Sequence, residues 1–177
     1  MKKKKILKDR ILNPISMLMI GLLTGIIVKL IDIHFYVQYF GFSLSDLFSE
    51  MGIWILFGVL ISLFSKSRKY AMINVFLFNI GMLTTYYITA HLMNSVYGFA
   101  FIKGWTIFAF LSPIMAYFIT LIKYKGKISY IIKFGIILVY ILTKIIIFQN
   151  EMKIYDFCIL IVLIYLLFVK KYYDRSF

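Results

Sequence analysis

The chain has 177 residues, of which 63% are hydrophobic, 19% aromatic and only 15% charged, at a mean hydropathy of +0.93. Soluble domains are nearer half apolar and a quarter charged, and a chain this short cannot hide the excess in a core. A water-soluble domain is therefore excluded, and a single integral membrane domain over residues 1–177 is expected. The net charge of +13 does not indicate nucleic acid, because the basic residues form short clusters between apolar runs rather than one face or arm.

Crossing about 30 Å of hydrocarbon takes about 20 helical residues. The N-terminus "MKKKKILKDRILNPISMLMIGLLTGIIVKLIDIHF" has a basic region and then an apolar run, as a signal peptide does. It lacks a small-residue cleavage site and reads as an uncleaved first span, about 14–33. Asn13-Pro14 supplies a cap residue and a proline at the first helical position. The aromatic stretch "HFYVQYFGF" that follows suits the headgroup region. A second span covers about 47–64, with Ser43 and Asp46 spaced as a capping box before it. The third and fourth cover about 70–93 and 99–122, the latter interrupted by Pro113, which removes a backbone donor. The fifth and sixth cover about 128–148 and 152–169. Polar turns "SKSRK" (65–69) and "KYKGK" (123–127) suit antiparallel neighbours. The expectation is all-α: a six-helix transmembrane bundle.

Sixteen of the 20 basic residues fall at the N-terminus, the two polar turns, Lys133 and the C-terminal tail, leaving Lys29, Lys103, Lys144 and Lys153 toward the other side. This split predicts both termini in the cytoplasm. Lysine outnumbers arginine 17 to 3, a composition that points to AT-rich coding and a multi-pass protein of a bacterial cell membrane.

Catalytic signatures are missing: the sequence has no HExxH, GxSxG, Walker A loop or GxGxxG. No enzymatic activity, cofactor or metal site is expected. The single cysteine, Cys158, rules out an internal disulfide and reads as a buried structural residue.

What remains is a set of charges on the far side of the predicted bundle. Gly21 and Gly25 allow close helix packing, within the chain or between copies. The same helical face continues to Lys29 and Asp32, which can pair at i, i+3. Glu50 shares a face with Trp54, Gly58 and Ser62; it reads as a boundary acid at a helix N-terminus or as a cavity-lining one. His91, near the end of the third span, reads as a hydrogen-bonded boundary residue, or as a ligand or proton carrier. Asn79, near the bilayer centre, reads as interhelical packing glue worth about 1 kcal/mol.

Lys144 precedes Asn150 by six residues and Asp156 follows it by six. In an antiparallel hairpin turning at Asn150 they would lie at equal depth, and pairing would offset the roughly 3 kcal/mol that a lone charge costs at mid-bilayer. The candidate substrate-binding set is therefore Lys29, Asp32, Glu50, His91, Lys144 and Asp156. Its two lysines and three acids suit a cationic or zwitterionic solute.

The stretch "NVFLFNIGMLTTYYITAHL" followed by "GWTIFAFLSPIMAYFITLIKYKGK" resembles a family of small bacterial polytopic membrane proteins known as a domain of unknown function. That resemblance implies a polytopic membrane protein and brings no assigned activity or site. A looser similarity of architecture is to the substrate-binding subunits of energy-coupling vitamin transporters. They have this length and six helices, bind solute toward the outside, and dock their coupling subunit through an Ala-xxx-Ala pattern in the first helix; Gly21 and Gly25 stand at that spacing here. Two functions lead: binding or transport of a small solute through an outer-half site, and a non-transporting subunit that packs against itself or a membrane partner. The expected surroundings are the lipid bilayer, with no nucleic acid.

Overall fold

The computed structural model describes residues 11–37, 43–95, 98–124, 126–147, 152–170 and 172. Among them there are helices and no strands. In chain order the helices are α1 (Pro14–His34), α2 (Leu44–Ser49), α3 (Met51–Phe64), α4 (Arg68–Leu92), α5 (Phe99–Thr120), α6 (Lys127–Leu142) and α7 (Ile154–Ile164). A 3₁₀ turn, Leu121–Lys123, extends α5, and wide π-type turns, Thr143–Ile147 and Tyr165–Val169, extend α6 and α7. Four segments are long and apolar enough to cross a membrane: 14–34, 68–92, 99–123 and 127–146. The apolar segments 51–64 and 154–169 are shorter.

Local chemistry sets the ends. The Asn13 side chain accepts from the Ser16 amide at 3.0 Å, with Pro14 opening α1. Ser43 and Asp46 form a reciprocal capping box on α2, at 3.1 Å each way. The helix expected over 47–64 is broken at Glu50, whose backbone is extended. The indole of Trp54, Nε1, donates to the Phe48 carbonyl at 2.9 Å. It thereby satisfies a carbonyl that the ending of α2 leaves without a helical donor. In α5, Pro113 has no N–H for the Ala109 carbonyl, and the Ser112 hydroxyl donates to that oxygen instead, at 2.7 Å.

Two cores meet on α3. One gathers Met17, Val28, Val75, Phe78, Met82 and Ala109 around Trp54 and Ile61. The other gathers Tyr140, Tyr155, Ile159, Leu163 and Leu167 around Leu56, Val59 and Leu63. The most extensive packing is between α1 and α4. A Cβ on Gly21 would collide with the Phe78 backbone, and one on Gly25 with the Met82 carbonyl and the Thr85 hydroxyl. Thr85 Oγ1 donates across the crossing to the Leu22 carbonyl at 2.7 Å. The glycine pair therefore packs inside the chain, at a place where any side chain would push the backbones apart.

The ends of the bundle differ in chemistry. Near one, Asn74 Nδ2 donates to the Leu12 carbonyl and Ser65 Oγ at 3.0 and 3.1 Å, Lys123 Nζ to the Ser65 carbonyl at 3.2 Å, and Arg68 to the Tyr124 hydroxyl. Toward the other lie the acids. Large apolar side chains such as Ile15 (77% exposed), Leu92 (75%) and Ile131 (69%) cover the outside, a surface suited to lipid rather than water. Cys158, expected to be buried, is exposed. The buried positions of α7 are Tyr155, Asp156, Ile159 and Leu163, and an outward face bathed in lipid can be as apolar as the inward one.

Candidate functional site

Two charged clusters stand near the acidic end of the bundle. The first is built on α1. Lys29 Nζ pairs with Asp32 Oδ2 at 2.6 Å, one helical turn away. Tyr86 of α4 donates its hydroxyl to the same oxygen at 2.9 Å, and Ser45 of α2 donates to Asp32 Oδ1 at 2.7 Å. The ammonium also lies 4.9 Å from the Tyr86 ring centroid. Lys29 is only 1% exposed, so its partners replace the water it has lost. The cluster holds one base and one acid. Asp32 and Tyr86 border a small cleft of about 60 Å³ shared with Trp54 and Trp105.

The second cluster joins a helix break, a π turn and a helix N-terminus. Lys144 sits in the wide turn after α6, Glu50 at the break between α2 and α3, and Asp156 in the first turn of α7. Lys144 Nζ pairs with Glu50 Oε2 and, at 2.8 Å, with Asp156 Oδ2. Asp156 also accepts the Lys153 amide at 2.8 Å and the Tyr140 hydroxyl at 3.2 Å. The Tyr140 hydroxyl lies 3.0 Å from the Asp156 carbonyl as well. The Tyr155 ring centroid is 5.2 Å from the ammonium. All of this is dry: Asp156 and Tyr140 are 0% exposed, Lys144 1% and Glu50 4%.

The local sequence explains the convergence. A π turn widens the helix by one residue and tends to mark functional positions. Tyr140, one turn before Lys144, falls on the same face and reaches the same carboxylate. Asp156 closes the N-terminus of α7 by accepting the amide of the cap residue Lys153, where an anion is favoured by the helix dipole. Beside this network, Lys153 Nζ bridges to Asp46 Oδ2 at 2.8 Å. Burial would raise the Asp46 carboxyl, but its bonds to Lys153 and to the Ser43 amide and hydroxyl hold it below the ordinary carboxylate value.

Of the six residues singled out by sequence, Lys29 and Asp32 come together, and so do Glu50, Lys144 and Asp156. No ion pair joins the two groups among the described residues, and no single cavity contains all six. His91 lies exposed in the last turn of α4, outside both. Asn150, the predicted pivot of the hairpin, lies outside the described residues, although the pair placed symmetrically about it is in contact. Sequence reasoning did not anticipate Ser45, Tyr86, the Glu50–Lys144 link or the Asp46–Lys153 bridge. Tyr140 stands four residues before Lys144, a spacing that shares a helical face; the links of Ser45 and Tyr86 to Asp32, of Glu50 to Lys144 and of Asp46 to Lys153 span 13, 54, 94 and 107 positions and carry no spacing signal.

Chemically, the second cluster sets two carboxylates against one ammonium. A cationic group that reached it could replace Lys144 on either acid without leaving the other buried and unpaired. The first cluster, charge-balanced within one helical turn, offers no such exchange. No family model, curated protein or solved structure matches this chain, so its site is read from its own residues.

Proposed function

We propose that this chain is a six-span protein of a bacterial cell membrane, with both termini cytoplasmic. In this reading it binds or moves a small cationic or zwitterionic solute through a site in its outer half. The observation that supports it is the buried Glu50–Lys144–Asp156 network, with one more acid than base, set at a helix break, a π turn and a helix N-terminus. Ionisable side chains within membrane segments are costly to keep, and interrupted helices are where membrane transporters assemble solute sites.

Native purification with mass spectrometry of the bound fraction, followed by thermal unfolding in detergent with neutral amino acids and alkylamines, tests the solute reading. A saturable stabilisation lost in Asp156→Asn is expected; no response to any of these compounds overturns it. Reporter fusions after residues 67, 125 and 177 should behave as cytoplasmic, and those near 40, 97 and 150 as external.

A second reading is a non-transporting subunit that packs against a membrane partner. The direct closure of the ion pairs within each cluster favours it. Co-purification of a stoichiometric partner, with no ligand response, is its expected signature.

A further inference from the structure

A cavity larger than the cleft at Asp32 contains none of the charged residues of either cluster. It occupies about 440 Å³ between α3, α4, α5 and α6, within the size range of ligand pockets. Its lining contains no charged residue. Gly58 and Gly135 face open space, where an added Cβ would meet nothing. On one side the lining includes the exposed residues Met115 and Phe118 of α5 and Ile131 of α6. The cavity therefore opens sideways between α5 and α6, toward the lipid.

Five polar or hydrogen-bonding side chains line it: Trp54, Ser62, Asn79, Ser112 and Thr143. Four use their donors within the chain. Trp54 donates to the Phe48 carbonyl, Ser62 to Gly58 at 2.7 Å, Ser112 to Ala109, and Thr143 to Tyr140 at 2.8 Å. Asn79 differs. It is 4% exposed and its side chain makes no hydrogen bond among the described residues, so it is not the interhelical glue expected from sequence. Its primary amide has two donors and an acceptor that no described protein group meets, and it lines the cavity.

We propose that this cavity binds an uncharged lipophile from the bilayer, a molecule with an apolar body and one hydrogen-bonding oxygen, and that Asn79 recognises the oxygen. The uncharged walls exclude an ionised head group, which would find no counter-charge there. The lateral mouth admits a molecule already dissolved in lipid. Asn79 supplies the only free donors of the lining, so a hydroxyl or carbonyl is held and a plain hydrocarbon is not distinguished.

The chain has two tryptophans, and Trp54 lines the cavity. In the Trp105→Phe background, Trp54 therefore reports on occupancy by bromine quenching. The full chain in phosphatidylcholine–phosphatidylglycerol nanodiscs is titrated with 10-bromodecan-1-ol and, separately, with 1-bromodecane. Saturable quenching is expected, with the alcohol about five- to tenfold tighter, the ratio that one hydrogen bond supplies. Asn79→Leu should erase that preference while still binding 1-bromodecane, and Gly58→Met, which fills the cavity, should abolish saturation by both. Linear quenching by both compounds overturns the proposal, as does a preference that survives Asn79→Leu or saturation that survives Gly58→Met. If Asn79→Leu does not fold, the native alcohol preference and its loss in Gly58→Met decide the question.

Discussion

The α1–α4 side of the molecule and the α6–α7 side solve the same problem differently. On the first, glycines bring two backbones into direct contact, and the buried lysine finds its acid one turn along its own helix. On the second, α6 and α7 meet through long side chains, and the buried lysine is held by acids 94 residues before it and 12 after it. The contrast shows two sources of cohesion where lipid removes the usual hydrophobic drive between helices. One is close packing of small residues, and the other is mutual satisfaction of polar groups freed by helix breaks. The first kind is local and balanced in charge. The second is distributed and leaves an acid in excess.

The sharpest way to break the contrast is Lys144→Met. It strands two buried carboxylates and should cost about 3–5 kcal/mol, read as a large fall in thermal unfolding temperature in detergent. Adding Asp156→Asn should recover part of that loss, and strictly additive losses would show that the pair does not couple. Gly25→Ala attacks the other side. The new methyl meets the Met82 backbone, so about 2–3 kcal/mol is expected, with no rescue by nearby charge substitutions. Tyr86→Phe removes one of three donors to Asp32 and should cost about 1 kcal/mol in the same measurement.

The smallest effect belongs to Asp46→Asn, at about 0.5 kcal/mol near neutral pH, because the Asp46–Lys153 bridge is partly exposed. Its carboxyl is held below the ordinary value, so its contribution is complete above about pH 4, the unfolded carboxylate value, and fades as the pH falls through the lower folded value. Acid-side thermal scans should therefore be steeper below about pH 4 for the native chain than for Asp46→Asn, and indistinguishable in slope above it.

Much of this was legible in sequence. The six apolar segments all contain helix, the caps at Asn13 and Ser43 form as their residues predict, and the equal offsets of Lys144 and Asp156 from Asn150 mark two side chains in contact. Periodicity failed where lipid makes it uninformative. Cys158 sits in an apolar run whose two faces read alike, so burial could not be assigned from pattern. Glu50 looked like a residue inside or beside one continuous helix, because the Trp54 indole that makes a break tolerable gives no local signal. Asn79 read as packing glue because polarity in an apolar run reveals the need for a partner and not whether one is present.

One further consequence follows from the length of the last apolar segment, residues 154–169. Its 16 residues rise only about 24 Å against a hydrocarbon layer of about 30 Å. Ile154, Phe157, Ile161 and Val169, each more than half exposed, face outward along it, while α4 on the other side has 25 residues. In the six-span arrangement proposed above, a bilayer meeting the two sides would thin around one and not the other. In that arrangement the molecule is a hydrophobic wedge, expected to gather short-chain lipids along α7 and to be most stable in thinner membranes.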